Sequence, residues 1–162
     1  MPDDLYDLDI LSWAEHQADL LRRLARGERV NEVDWTRVVE EIEDVGLSEL
    51  HAVESYLNPM LVNLLRVHLS PDSQTLGHWD GEMVAFQRNA ARRFAPSMRQ
   101  RIDLTKLYAD AVDEIEASGY RGTSPITLPP ICPFALDELL RDKWDALEAR
   151  LNAPLPEGPD LA

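Results

Sequence analysis

The stretch "DWTRVVEEIEDVGLSEL", residues 34–50, sets four carboxylates, Glu40, Glu41, Glu43 and Asp44, among Trp35, Val38, Val39, Ile42 and Val45. Carboxylates this close together can ligate a hard cation, work as an acid–base pair, or form the wet side of a helix. Metal binding needs ligands aimed at one centre, usually from several helices. On a helical wheel with Trp35 at zero, Val39 and Ile42 fall within about 40°, while Glu40 and Asp44 fall near 140° and 180°. Glu41 and Glu43 lie on opposite flanks. The four acids therefore read as a solvated face, with the core on the side of Trp35, Val39 and Ile42. Glu43 and Glu54, eleven residues apart, share a rim nearer that core. With His78 they are the metal candidates of the chain.

The other reactive side chains give less. A di-iron helical bundle carries Glu-x-x-His on two helices. Here the residues three before His16, His51, His68 and His78 are Trp13, Ser48, Leu65 and Thr75. His78-x-Asp80-x-Glu82 has the donors for a metal or a base, yet acids at a helix start also suit the helix dipole. His51 reads as polar-face, and His68 as a helix-end cation. Cys132, between Ile131 and Pro133, reads as a small buried thiol and has no partner for an internal disulfide. No phosphate-binding glycine loop, His-Glu-x-x-His or nucleophile elbow is present. These residues fix no reaction and call for no cofactor, and they lean away from an enzyme.

Charge is distributed unevenly. The 162 residues carry 16 basic against 30 acidic side chains, a formal charge of −14. Such a field argues against nucleic acid and anionic lipid as partners and favours basic ones. Between Met83 and Ile102 the balance inverts: Arg88, Arg92, Arg93, Arg99 and Arg101 stand with no acid among them. Arginine is suited to two-pronged pairing with carboxylates or phosphate. The stripe reads either as a docking surface or as internal pairing with Glu40, Glu41, Glu43 and Asp44, or with Asp110, Asp113 and Glu114.

Periodicity places these residues on helices. Ile10, Trp13, Ala14, Ala18, Leu21, Leu24 and Ala25 share a face, predicting a helix over 5–26 that Gly27 ends. Asp34 suits the cap of the next helix. From Trp35 the apolar phase runs unshifted through Val53, Leu57, Met60, Leu64 and Val67, predicting one long helix over 34–69. Gly46 costs only about 1 kcal/mol inside a helix, and Pro59 should bend it. The alternative is two helices broken near Gly46. Further helices are expected over about 76–94, 97–118 and 135–151, the last with a possible break near Asp142. Between them, "SGYRGTSPITLPPICPF" (118–134) is too rich in proline for helix and reads as an extended strap burying Ile126, Leu128, Ile131 and Phe134. Residues 152–162 read as a mobile tail, giving one all-α domain over 1–151, a bundle of about five helices.

The ordered segments "YDLDILSWAEHQADLLR" (6–22), "DWTRVVEEIEDVGLSE" (34–49), "LVNLLRVHL" (61–69), the Trp79…Arg88 helix and "LPPICPFALDELL" (128–140) resemble the bacterial domain of unknown function 29 family, commonest in cyanobacteria. The "EEIEDVG" block and the "CPF" turn are the most specific parts, and the resemblance covers about residues 6–142. It implies an all-helical bundle and no particular activity. Members often carry a histidine where this chain has Asn63, so a role for that histidine does not transfer.

The leading expectation is a soluble, cytoplasmic, non-enzymatic interaction or regulatory module. It would dock a protein partner or a second copy through its charged helix faces, with Glu40 and Asp44 on one side and Arg88, Arg92, Arg93, Arg99 and Arg101 on the other. The alternatives are a metal-dependent enzyme built on Glu43, Glu54 and His78, and an acidic regulator neutralising a basic protein. No apolar run is long enough to span a bilayer, and the acidic N-terminus does not read as a secretory signal.

Overall fold

The structure, a computed structural model, describes residues 5–70, 76–120 and 124–153, with side chains from residue 81 onward in the helix that starts at Leu76. Among these residues there are seven α-helices and no strand: α1 (Leu5–Leu8), α2 (Ile10–Ala25), α3 (Trp35–Leu69), α4 (Leu76–Arg93), α5 (Leu104–Ala117), α6 (Leu136–Arg141) and α7 (Trp144–Asn152). The chain divides into two compact units, Met1–Leu47 and Ser48–Ala162.

In the first unit, the helix expected over 5–26 is cut at Asp9. This residue leaves the helical region (φ −153°) and accepts hydrogen bonds from the Ser12 N–H at 3.0 Å and the Ser12 hydroxyl at 2.7 Å. The cap satisfies free N–H groups at the start of α2 that a continuous helix would have bonded differently. Gly27 ends α2 with φ +81°, a left-handed position that suits glycine. Asp34 caps α3, accepting from the Arg37 N–H at 3.2 Å. Its own N–H donates to the buried Gln17 side chain at 2.9 Å. Gln17 stands one turn after Trp13 on the buried face of α2, which explains a polar side chain there.

The long helix expected over 34–69 is present as α3, with Gly46 and Pro59 inside it. In the second unit its residues Leu50, Val53, Leu57, Met60, Leu61, Leu64, Leu65 and Val67 form the core. Met83 and Ala90 of α4, Ala111 and Ile115 of α5, Leu139 and Leu140 of α6 and Leu147 and Leu151 of α7 are buried as well. From Met60 to Leu65 every side chain is buried, the pattern of a central helix. His68, expected as a cation favoured at the helix end, is buried. Desolvation pushes its pKa below the usual histidine value against a weaker opposing pull from Glu148.

Two boundaries differ from the periodicity. The helix expected over 97–118 begins only at Leu104, because Pro96–Met98 forms a 3₁₀ turn and Asp103 caps α5 through the Lys106 N–H at 3.0 Å. The last helix is broken at Asp142, whose backbone is extended (ψ 151°), separating α6 from α7. Gly119 follows α5 with φ +65°. Residues 124–135 contain neither helix nor strand. The Tyr108 hydroxyl donates to the Pro129 carbonyl at 2.7 Å, and the Ser124 hydroxyl to the Leu69 carbonyl at 3.0 Å. Leu128 and Phe134 are buried, whereas Ile131, expected inward, is 69% exposed. The expected tail lies almost wholly outside the described residues.

Candidate functional site

The apolar stripe of α3 has two different fates. Its later part is core, but Trp35, Val39, Ile42 and Val45 are 57%, 51%, 67% and 69% exposed. The expectation that this side faces inward is overturned, and the reason is local. Val38 is buried and Glu41 half-buried, so between Trp35 and Ile42 the inward side of α3 lies about 60–120° away from Trp35 on the wheel. There the Tyr6 hydroxyl donates to Glu41 at 2.5 Å and the Arg37 guanidinium lies over the Tyr6 ring at 4.5 Å. Trp13 meets the same ring edge-on, with centroids 4.9 Å apart. Arg37 also approaches Asp7 at 3.7 Å. The hydrogen bond to Glu41, then burial, pushes the Tyr6 phenol up to about 12, so it stays a donor at neutral pH. Glu41 is thus a structural acceptor.

Glu43 is exposed beside the open stripe, and Glu40 and Asp44 are exposed further round the helix. Glu54 is half-buried in the second unit, and the side chain of His78 lies outside the described residues. Among the described residues no group of three His, Cys, Asp or Glu side chains is placed to hold a metal ion. No described helix is long and apolar enough to cross a membrane.

The arginines separate into two sets. Arg93 pairs with both carboxylate oxygens of Glu49 at 3.1 Å, and Arg99 forks onto Asp137 at 2.8 and 2.9 Å. Neither partner is among the acids expected from the sequence. Arg99 raises its own pKa and lowers that of Asp137 through this pair. Arg88, Arg92 and Arg101 are exposed and make no ion pair with another described residue. On α4, Val84 (half-exposed), Arg88, Ala91 and Arg92 share the outward face, a basic surface with an apolar seam.

Beside that seam opens a cavity of about 240 Å³, lined by Met60, Met83, Val84, Gln87, Asp142, Trp144 and Leu147. Gln87 holds its edge. Its amide nitrogen donates to the Leu139 carbonyl at 3.0 Å and the Asp142 carbonyl at 2.8 Å, groups left without helical partners by the α6–α7 break. Glu138 secures the same joint, accepting from the Ala135 N–H at 2.8 Å and pairing with Arg150. Sequence reasoning missed Gln87 and Gln17. Each is a single polar residue in register with a buried apolar stripe, and that register was the available signal. The Cys132 thiol donates to the Phe134 carbonyl at 3.6 Å, and burial pushes its pKa up. Asn63, also on α3, is buried.

Comparison with known proteins agrees with this architecture. The family described as "Domain of unknown function DUF29" matches residues 5–145. A solved structure, an alpha-helical protein of unknown function from Rhodospirillum rubrum, is 30% identical, with a TM-score of 0.69. The match covers 90% of this chain and 96% of that one. No curated protein matches the chain.

Proposed function

Since this chain belongs to the DUF29 family, whose description assigns no activity, we propose a function from its surfaces: a non-enzymatic docking module whose partner is a second copy of the chain. The observation that carries the reading is the open stripe Trp35, Val39, Ile42 and Val45 with Glu43 along its edge and Glu40 and Asp44 further round the helix. Large apolar side chains exposed in a row on one helix mark an interaction surface more than scattered ones do.

Magnitudes favour a basic partner surface. Burying such a side chain fully gives about 1.5–3 kcal/mol, so covering four half- to two-thirds-exposed ones gives about 4–8 kcal/mol. Association costs about 4–15 kcal/mol in lost freedom. Apolar contact alone only balances that cost, and charge complementarity decides the partner. Two acidic stripes face to face would repel, whereas the Val84, Arg88, Ala91 and Arg92 face offers an apolar seam with free positive charges. Both surfaces belong to the same chain, which supports self-association.

Charge reversal with rescue tests the reading. Arg88→Glu with Arg92→Glu abolishes association, and mixing that variant with Glu43→Arg chains restores it. Reversal that leaves association unchanged defeats the proposal.

A further inference from the structure

We infer that Trp35 of one copy seats its indole in the cavity between α4 and the α6–α7 joint of the second copy, as the anchor of the proposed contact. This rests on the self-docking reading and specifies its centre. Three observations support the assignment.

The first is size. A cavity of about 150 Å³ holds a benzene ring, and indole is roughly half as large again; the cavity here is about 240 Å³. The second is chemistry. The lining is apolar through Met60, Met83, Val84, Trp144 and Leu147. Gln87 has spent its N–H donors on Leu139 and Asp142, and no described group bonds the Asp142 carboxylate. What the lining still offers is acceptors, the Gln87 amide oxygen and the Asp142 carboxylate. The fitting occupant is therefore an apolar ring bearing an N–H. Among the exposed large hydrophobic residues, Leu8, Ile10, Leu11, Trp35, Val39, Ile42, Val45, Val84 and Ile131, Trp35 alone has that donor.

The third is register. Val84 lines the cavity and begins the basic seam, with Arg88 and Arg92 about 6 and 12 Å further along the axis of α4. On α3, Glu43, the acid nearest the stripe around the helix, lies about 12 Å beyond Trp35. With the two helices running the same way and the indole seated against Val84, the Glu43 carboxylate comes abreast of the free Arg92 guanidinium. A buried aromatic anchor with polar contacts at its rim is the usual anatomy of a binding hot spot.

Site-directed crosslinking with affinity measurement tests this. In a Cys132→Ser background, Trp35→Cys chains are mixed with Val84→Cys chains and treated with a short bismaleimide. A covalent dimer is expected on mixing and not from either variant alone. In sedimentation, Trp35→Ala weakens association about thirtyfold or more, and Trp35→Phe, which keeps a ring and loses the donor, falls between it and the wild type. Both positions are exposed, so neither substitution touches the core. If the wild type associates while Trp35→Ala matches its affinity and no crosslink forms, the anchor is wrong and the docking reading stands. If the wild type never associates, both fall.

Discussion

Two alanine substitutions on one stripe of one helix should differ by several kcal/mol. Ile42 and Leu57 both lie on the apolar side of α3, but Ile42 is 67% exposed and Leu57 is 0% exposed. Leu57→Ala removes atoms packed on every side and leaves a cavity, which costs about 2–5 kcal/mol. Ile42→Ala removes atoms that mostly face solvent, so the change should stay within about 0.5 kcal/mol. The higher helix propensity of alanine, a few tenths of a kcal/mol, offsets part of any loss. Urea unfolding followed by far-ultraviolet circular dichroism reads both values. Dilute protein is essential, because at high concentration any association would add to the apparent stability of the wild type. A loss of 2 kcal/mol or more for Ile42→Ala in dilute solution would refute the reasoning, since the stripe would then be packed within the protomer.

Three further outcomes follow from the buried polar groups. His68 has a folded-state pKa below the unfolded value of 6.5, so below that pH the unfolded chain takes up the proton first. Stability should fall as pH drops from about 6.5 toward the folded-state pKa, and His68→Gln should flatten that part of the urea-midpoint profile; an unchanged slope counts against it. Tyr108→Phe removes the hydroxyl that donates to Pro129 and should cost about 1 kcal/mol in urea unfolding, whereas a neutral result would show that residues 124–135 do not depend on this bond. The Cys132 thiol, expected to be buried, is only half-buried, yet that burial raises its pKa, so it should react more slowly with an aromatic disulfide reagent in the native chain than once urea unfolds it; equal reactivity in the two states would contradict this.

The elements were legible where local signals agreed. The unshifted phase from Trp35 to Val67 marked α3 despite Gly46 and Pro59, and Asp34, Gly27 and Gly119 marked ends through capping and left-handed glycine chemistry. Asp9 and Asp103 carried the same capping signal, but the apolar wheel around them dominated the reading, and two helix starts were misplaced. The candidate surface was only half legible. A wheel identifies an apolar side; it does not say whether anything covers it, so the buried Leu57 and the exposed Ile42 looked alike. Glu41 looked like its neighbours because its partner, Tyr6, lies 35 residues away. The arginine stripe was visible as a charge asymmetry, yet which arginines stay free depended on Glu49 and Asp137 arriving from distant segments.

Sedimentation velocity of the wild-type chain over a wide concentration range, in low and in high salt, tests self-docking most directly. The expected result is reversible growth beyond the monomer with increasing concentration, weakened by salt and lost in Ile42→Asp. Sedimentation as a monomer at every concentration and both salt levels would contradict it.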